Sequence, residues 1–522
     1  MIKTHYLVKL LGNLGAVCLI TTIIQLLILQ GSILAGVSSE KSTLEVIKSE
    51  NLQEVKDSKW KWGDAIEFYD GKLRWDFQMR EQFEWRENWI DFNDNNDQRD
   101  DVALLSRIRL GLKWIATDKL TLYAQLQDSR TLFDEPQGPV TNRELGLNDS
   151  PIDLRHAWFK WLPLEETPLS LKVGRQIWKY GEGRLLGPGN WNNQARTFDS
   201  LKLRYTDTAF WLEYFAGYLV RHTTDTFNES DSEDLVTGLW ANVKEIPVFD
   251  AHFYTILRSK SDVDVNTIRT NVDNQSSGNN HPAGDYINLG TLFKSKKNAL
   301  GPWDFEAELN FQVGEISNPT RAGNALSGVI INTARQDHLA FASHLELGYH
   351  LDHAWKPRLY TEYNYASGDD NPGDGINNTF QNFHPANHGK DARYGIMDRF
   401  AWMNLHNLTF GLTIKPIKEL DIRLAHHLFW LDSTNTPWRF AGQGAVGGNA
   451  RFGNAIGRSV SNFVGNELNL IVNYKPYDWW NLQVGYAHFF AGNYIYETDP
   501  ALNRSTGQDD ADFLYVQSTI SF

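Results

Sequence analysis

Basic side chains fall on one parity in two stretches of this sequence. Arg74, Arg80 and Arg86 stand one residue out of step with Trp75, Phe77 and Met79. Arg107, Arg109 and Lys113 stand out of step with Ile108, Leu110 and Leu112 in the same way. A guanidinium donates to both oxygens of a carboxylate, so a ladder of such residues suits an anionic chain. Arg204, Arg358 and Arg423, with Lys172 and Lys202, extend the basic set. Asp76, Glu84, Glu306, Glu308, Glu346, Glu362 and Glu467 occupy the matching parity elsewhere. The early part therefore predicts a basic wall and the middle part an acidic one. Two readings stay open: a ladder that binds cargo, or walls of opposite sign that pair with each other and only hydrate an interior.

Other chemistry finds less support. His426 and His427 are neighbours in an alternating segment and point to opposite faces, so they do not share one metal. His384 and His388 lie in a connection, and a zinc site needs further ligands that the sequence does not place. Asp91, Asp94, Asp97, Asp100 and Asp101 cluster in one connection, and Asp369, Asp370 and Asp374 in another. Oxygen-rich loops hold calcium, but this spacing is not that of an EF-hand, and solvated loops with Asx turns fit it better. The sequence has no nucleophile elbow and no phosphate loop. We expect no catalytic residue, no metal and no cofactor.

The elements that carry these side chains have a period of two. Phe305, Ala307, Leu309, Phe311 and Val313 alternate with Asp304, Glu306, Glu308, Asn310 and Gln312. Strict alternation over about ten residues matches a tilted membrane-spanning strand. The whole chain reads as about 18 such strands. The expected spans are 73–86, 104–115, 120–130, 152–162, 169–176, 198–205, 209–220, 235–243, 249–260, 285–295, 303–315, 339–351, 357–367, 405–415, 420–431, 465–475, 480–490 and 512–522. Both faces look apolar in 152–162, 209–220 and 235–243, so the parity there is ambiguous.

The connections alternate between long and short. Proline marks most of the short ones (Pro163, Pro168, Pro247, Pro302, Pro357, Pro416 and Pro476), where no ladder hydrogen bond is needed. Trp114, Trp161, Trp303, Trp355, Trp479 and Trp480 sit beside short turns, as an interfacial girdle would. The last strand ends on Phe522, which resembles the assembly signal of outer-membrane barrels. The fold class is therefore all-β: a transmembrane antiparallel barrel with short periplasmic turns and long extracellular loops. Such a barrel leaves an aqueous channel, narrowed by its loops. Any gate must be an extracellular loop folded inward or residues 36–71, and the longest candidates are 368–404 and 432–464.

Composition agrees. The 522 residues include 50 Lys and Arg against 64 Asp and Glu, which argues against a nucleic-acid partner. A negative mean hydropathy excludes a helical polytopic membrane protein but not a barrel, half of whose strand residues are polar. Lys3, His5 and Lys9 precede an apolar run to Leu34, and Ala35-Gly36 offers small residues for cleavage. Residues 1–35 read as a signal peptide rather than an uncleaved anchor, because Gly, Asn, Thr and Gln interrupt the run. Its removal takes the only cysteine, Cys18, so stability owes nothing to disulfides. Residues 36–71 are expected to be a periplasmic lead-in with one short helix over 43–55, and 72–522 the barrel.

Several segments together resemble the alginate export family of outer-membrane barrels. They are Leu171 to Tyr205, with Tyr180-Gly181-Glu182-Gly183-Arg184 and Gly187-Pro188-Gly189-Asn190-Trp191; Leu122 to Arg130; and 365–398, with Thr379-Phe380-Gln381-Asn382-Phe383-His384-Pro385. His427 to Leu431 and Gly485 to Gly492 complete the set. The resemblance covers essentially all of 72–522. It implies an 18-stranded barrel that exports an acidic polyuronate through a basic constriction. It also makes Arg175, Arg184 and Arg196 candidate cargo contacts, the alternative being that Tyr180, Arg184, Trp191 and Asp199 only shape their loop. The expected lumenal set is thus Arg74, Arg80, Arg107, Arg109, Lys113, Arg175, Arg184, Arg196, Arg204, Arg358 and Arg423. The expected partners are an anionic polysaccharide or small solutes, outer-membrane lipid and lipopolysaccharide, and the barrel-assembly machinery. A small-solute porin and an adhesive barrel closed by its loops are the alternatives. The expected location is the outer membrane of a Gram-negative-type bacterium.

Overall fold

The computed structural model describes residues 64, 66–89, 92–93, 101–136, 150–163, 167–222, 227–261, 283–322, 329–386, 393–436, 438, 459–498 and 507–522. The chain divides into a small unit, 1–54 with 166–168, and a large one, 55–165 with 169–522. The expected signal peptide, the helix over 43–55, His388 and most of the first aspartate cluster lie outside the described residues. Every strand belongs to the large unit.

Twenty strands form one sheet. In chain order they are β1 (Ile66–Phe68), β2 (Leu73–Glu87), β3 (Asp101–Thr117), β4 (Leu120–Pro136), β5 (Ser150–Trp161), β6 (Leu169–Gln176) and β7 (Phe198–Thr206). Next come β8 (Phe210–Arg221), β9 (Glu229–Val243), β10 (Phe249–Lys260), β11 (Gly284–Ser295), β12 (Trp303–Ala322), β13 (Val329–His350) and β14 (Arg358–Ala366). Then follow β15 (Ile376–Asn377), β16 (Leu405–Ile417), β17 (Leu420–Trp430), β18 (Phe463–Tyr477), β19 (Trp480–Ala491) and β20 (Ala511–Ser521). β1 and β15 are short additions, paired with β2 and β13. The other 18 close an antiparallel barrel.

Closure is made by β2 and β20, in register from Gln78 opposite Ser521 to Glu87 opposite Asp512. Phe522 finishes the seam: its N–H donates to Phe77 O at 3.0 Å, and Phe77 N–H returns the bond at 2.7 Å. A closed ladder leaves no unpaired edge, which hydrocarbon would not tolerate.

Alternation decides what faces lipid. Phe410, Leu345 and Leu359 are about half exposed on the outer face. Trp114, Trp161, Trp303 and Trp355 are 43% to 51% exposed beside the short turns, forming the interfacial girdle. The opposite parity turns Gln82, Asn288, Gln312, Asn364 and Asn407 fully inward.

All 18 expected spans coincide with barrel strands, but β12 and β13 run beyond 303–315 and 339–351. Beyond the apolar belt a strand needs no lipid-facing side, so alternation stops marking it. Each ambiguous parity has a physical cause. In β5 the register slips between the pairs Gln125–His156 and Leu126–Leu154, so Arg155 is an extra residue and both it and His156 are buried. In β8 and β9 the inner face itself is apolar, with Phe215, Leu219, Val236 and Trp240 buried. These residues cover something inside the barrel.

Candidate constriction and lumenal site

The segment 177–197, between β6 and β7, fills that space. Trp178 stacks on Phe198 at 4.1 Å between ring centres, and Tyr180 stacks on Phe215 at 4.5 Å and on Trp240 at 5.2 Å. The Tyr180 hydroxyl donates to Glu213 Oε1. Across the lumen Arg184 Nη1 lies 2.6 Å from Glu306 Oε1 and donates to Glu308 Oε2 at 2.8 Å, while its Nη2 reaches His344 Nε2 at 2.7 Å. Further along, Trp191 packs edge-on against Tyr515, 4.7 Å away. One segment thus touches the walls made by β8–β9, by β12–β13 and by β20.

The basic wall holds the same segment by its backbone. Arg80 Nη1 donates to the carbonyls of Asn190 and Trp191 at 2.7 and 2.9 Å. Arg107 Nη1 donates to those of Asn190, Asn192 and Asn193 at 3.1 to 3.3 Å. Arg109 and Arg155 both reach Asn190 Oδ1, at 3.4 and 3.0 Å. Gln127 adds a bond to Gln194 O at 2.7 Å. Arg80, Arg107 and Arg109 were expected to line open lumen. Instead the segment covers them, and they are 2% to 5% exposed. Arg155 joins them because the β5 bulge turns it inward; the undecidable parity of 152–162 was its only signal in the sequence.

A second inward segment, between β14 and β16, meets the first in mid-lumen. Its 384–386 stretch pairs with 183–187. His384 N–H donates to Leu185 O, Gly187 N–H to His384 O, and Ala386 N–H to Gly183 O, each at 2.8 Å. Gly187 permits this approach, since a Cβ there would sit 2.6 Å from the Ala386 nitrogen. Within the expected gate 368–404, residues 379–386 and 394–397 are buried inside the barrel beside the shorter 177–197, while 370–376 are exposed and 387–392 lie outside the described residues. Of 432–464, Trp438 packs inside, its indole N–H donating to Arg399 O at 3.0 Å. Replacing Gly187 by valine will separate the two segments without touching the ladder. We expect an assembled barrel with a several-fold higher single-channel conductance; an unchanged conductance would show that this contact does not narrow the pore.

Among the described residues, the β11–β18 side of the lumen holds a cavity of about 200 Å3, continuous with solvent. Arg184, Arg358, Arg393 and Arg423 line it together with Glu306, Glu346 and Glu362. Arg358 pairs with Asp304 and Glu346 there. The lumen face of β5–β7 is different. Lys160 stands opposite Lys172, and Lys172 opposite Lys202. Lys172 Nζ sits 3.8 Å over the Trp158 ring, Lys202 Nζ 4.5 Å over Tyr180, and the Arg204 guanidinium 3.9 Å over Trp211. Lys113 faces the same space from β3, opposite Tyr123. Glu213 is shared by Lys202 and Arg204, at 3.6 and 3.7 Å.

The other candidates are placed apart. Arg74 lies at the short-turn rim beside Glu67 and donates to Gly71 O. Arg196 donates to Gly187 O and Pro385 O, clasping both inward segments. Burial, then the neighbouring Arg258, pushes its pKa down to about 10. Arg175 shares its parity with Leu171 and Val173 rather than with the lysine row, and is bound on both sides to Asp199. His384 is buried in the inserted loop. Burial, then the charges of Arg258, Arg196 and Lys260, keep it neutral, which suits packing. Among the described residues no group of three or more potential ligands could hold a metal ion.

Glu182 binds the first segment to the wall through Lys294, at 2.6 Å. Burial and Glu306 push its pKa up, but Lys294 and Arg393 more than offset them, so the net shift is downward. The stabilisation is therefore complete above the ordinary carboxylate range and is lost as pH falls through the depressed value. Conductance rising on acidification below that range, and less so in Glu182→Gln, is the expected result. An identical acid response in the variant would contradict this role.

A closed 18-strand barrel with an apolar outer belt, an aromatic girdle and a polar lumen narrowed by inward loops defines an outer-membrane channel, not an enzyme. A family model for alginate export matches residues 72–508, and the chain belongs to that family. It is accordingly a passive channel of the Gram-negative outer membrane. Among solved structures it is similar to Acinetobacter baumannii OccAB1, with TM-score 0.54, 10% identity, and coverage of 89% of this chain and 99% of that one. OccAB2 of the same organism gives TM-score 0.53 at 10% identity over 86% and 98%. The outer membrane protein OprD from Pseudomonas aeruginosa gives 0.51 at 10% over 88% and 96%. At such identity these likenesses concern the fold alone. Among curated protein sequences none matches significantly.

Proposed function

We propose that the barrel passes an anionic polysaccharide, a polyuronate such as alginate. The row Lys160, Lys172 and Lys202 carries this reading. Three cations stand directly opposite one another on adjacent strands of one lumenal face, an arrangement that suits a polyanion lying across them. Successive strands lie about 4.8 Å apart, which presents a regular series of cations to a polymer with one carboxylate per unit. The rings of Trp158 and Trp211 beside it offer flat faces against which sugar rings pack. Lys113 and Arg204 extend the track towards the short-turn mouth. The β12–β14 wall, where Glu306, Glu346 and Glu362 face Arg358 and Arg423, favours a second reading, a small-solute porin of mixed charge.

On this reading the terminal Phe522 strand is recognised by the barrel-assembly machinery, and lipid and lipopolysaccharide cover the outer belt. The test of cargo is the double variant Lys172→Glu with Lys202→Glu. Under a salt gradient its reversal potential should move from anion towards cation selectivity, with weaker capture of alginate oligomers. An unmoved reversal potential would leave the porin reading.

A further inference from the structure

Four guanidinium groups are buried together under the first inward segment: Arg80, Arg107, Arg109 and Arg155, each 2% to 7% exposed. Buried cations are normally paired with carboxylates. These are not. Arg80 and Arg107 donate to loop carbonyls, Arg109 to Gln127 Oε1 and Gln78 Oε1 at 2.7 and 3.0 Å, and Arg155 to Gln125 Oε1 at 3.4 Å. Glu84, on the same strand as Arg80, is engaged by Gln82 and by Arg86 instead. Every acceptor that the four share with the segment is a neutral oxygen. Asn190 is central: its carbonyl accepts from Arg80 and Arg107, and its side-chain oxygen from Arg109 and Arg155.

We propose that this cluster is an oxyanion site for a carboxylated saccharide, occupied in the closed channel by the chain's own Asn190–Asn193. The neutral oxygens imitate a carboxylate without its charge. A carboxylate adds Coulomb attraction and two parallel acceptor oxygens that a neutral carbonyl or amide oxygen lacks. A carboxylate arriving at the cluster therefore displaces the segment and frees the lumen it covers. Cargo is then both what passes and what opens the way. The inference rests on the reading of the barrel as a path for anionic saccharide.

The test follows the position of the segment, not the current. In a Cys18→Ser background, Gln194→Cys places a thiol where the side chain is 6% exposed in the closed state. The full chain is reconstituted in liposomes and the rate of labelling by a soluble maleimide is read. Oligogalacturonate should accelerate labelling about tenfold, corresponding to about 1.4 kcal/mol, while maltotriose should not. Adding Asn190→Asp supplies the missing charge from within, so the oligomer concentration needed should rise at least about tenfold. Assembly of that variant is checked by heat-modifiable gel mobility. Oligomer-independent labelling, or an unshifted requirement in Asn190→Asp, overturns the proposal. If that happens while currents stay anion-selective and oligomer-sensitive, the latch fails and the cargo reading stands. If the currents also ignore the oligomer, both fail.

Discussion

Replacing Arg184 by glutamine will unfasten the inserted segment and turn the lumen towards cation selectivity. The guanidinium lies between Glu306 and Glu308 with His344 beside it, and is 5% exposed. Removing one member of such a buried charged set costs about 3–5 kcal/mol, because Glu308 is left without the cation that faces it and Glu306 keeps only Lys294. The barrel ladder does not depend on Arg184, so the loss falls on the docked state of segment 177–197. About 3 kcal/mol is roughly a hundredfold in the docking equilibrium. Larger and noisier single-channel currents are expected, with the reversal potential displaced towards cations by the lost guanidinium and the freed Glu308. Thermal stability should be nearly unchanged. A closed, anion-selective Arg184→Gln channel would show that the segment is held by its aromatic contacts and the arginine cluster alone.

The second large effect is on folding. Asp234 and Arg258 form a doubly bonded pair in the lumen wall, with both side chains fully buried. Neither lines the cavity. Asp234→Leu leaves the guanidinium without its carboxylate and should destabilise the barrel by about 3–5 kcal/mol. The double variant Asp234→Leu with Arg258→Met should recover most of that loss, since the cost comes from the abandoned charge rather than from the missing contact. Urea titration of folding into lipid vesicles reads both. Equal losses in the single and double variants would mean that the pair itself, not the orphaned cation, sustains the wall.

The barrel was legible because lipid enforces it. Where a strand crosses the apolar belt, one parity must be apolar, and Phe305 to Val313 or Ile108 to Leu112 record that directly. Legibility failed where the inner face stopped being polar. Phe215 and Trp240 face inward yet read as core, because their partners Trp178 and Tyr180 arrive from a loop. The inserted segment also escaped notice because its fastenings are remote in sequence: Asn190 meets Arg80, and Arg184 meets Glu308 and His344. Its glycines, at 181, 183, 187 and 189, were a signal of tight backbone packing, but not of where. The basic ladder was real as a face. That the loop's own carbonyls had already occupied its deepest rungs could be seen only with the chain folded.

Whether the lumen selects an anionic polysaccharide is decided by single-channel recording in planar bilayers under a salt gradient, with alginate oligomers added to one side. An anion-selective reversal potential is expected. Current interruptions should become more frequent as oligomer concentration rises, and rarer in Lys172→Glu with Lys202→Glu. Cation-selective currents that the oligomers leave untouched would contradict the assignment of an anionic cargo.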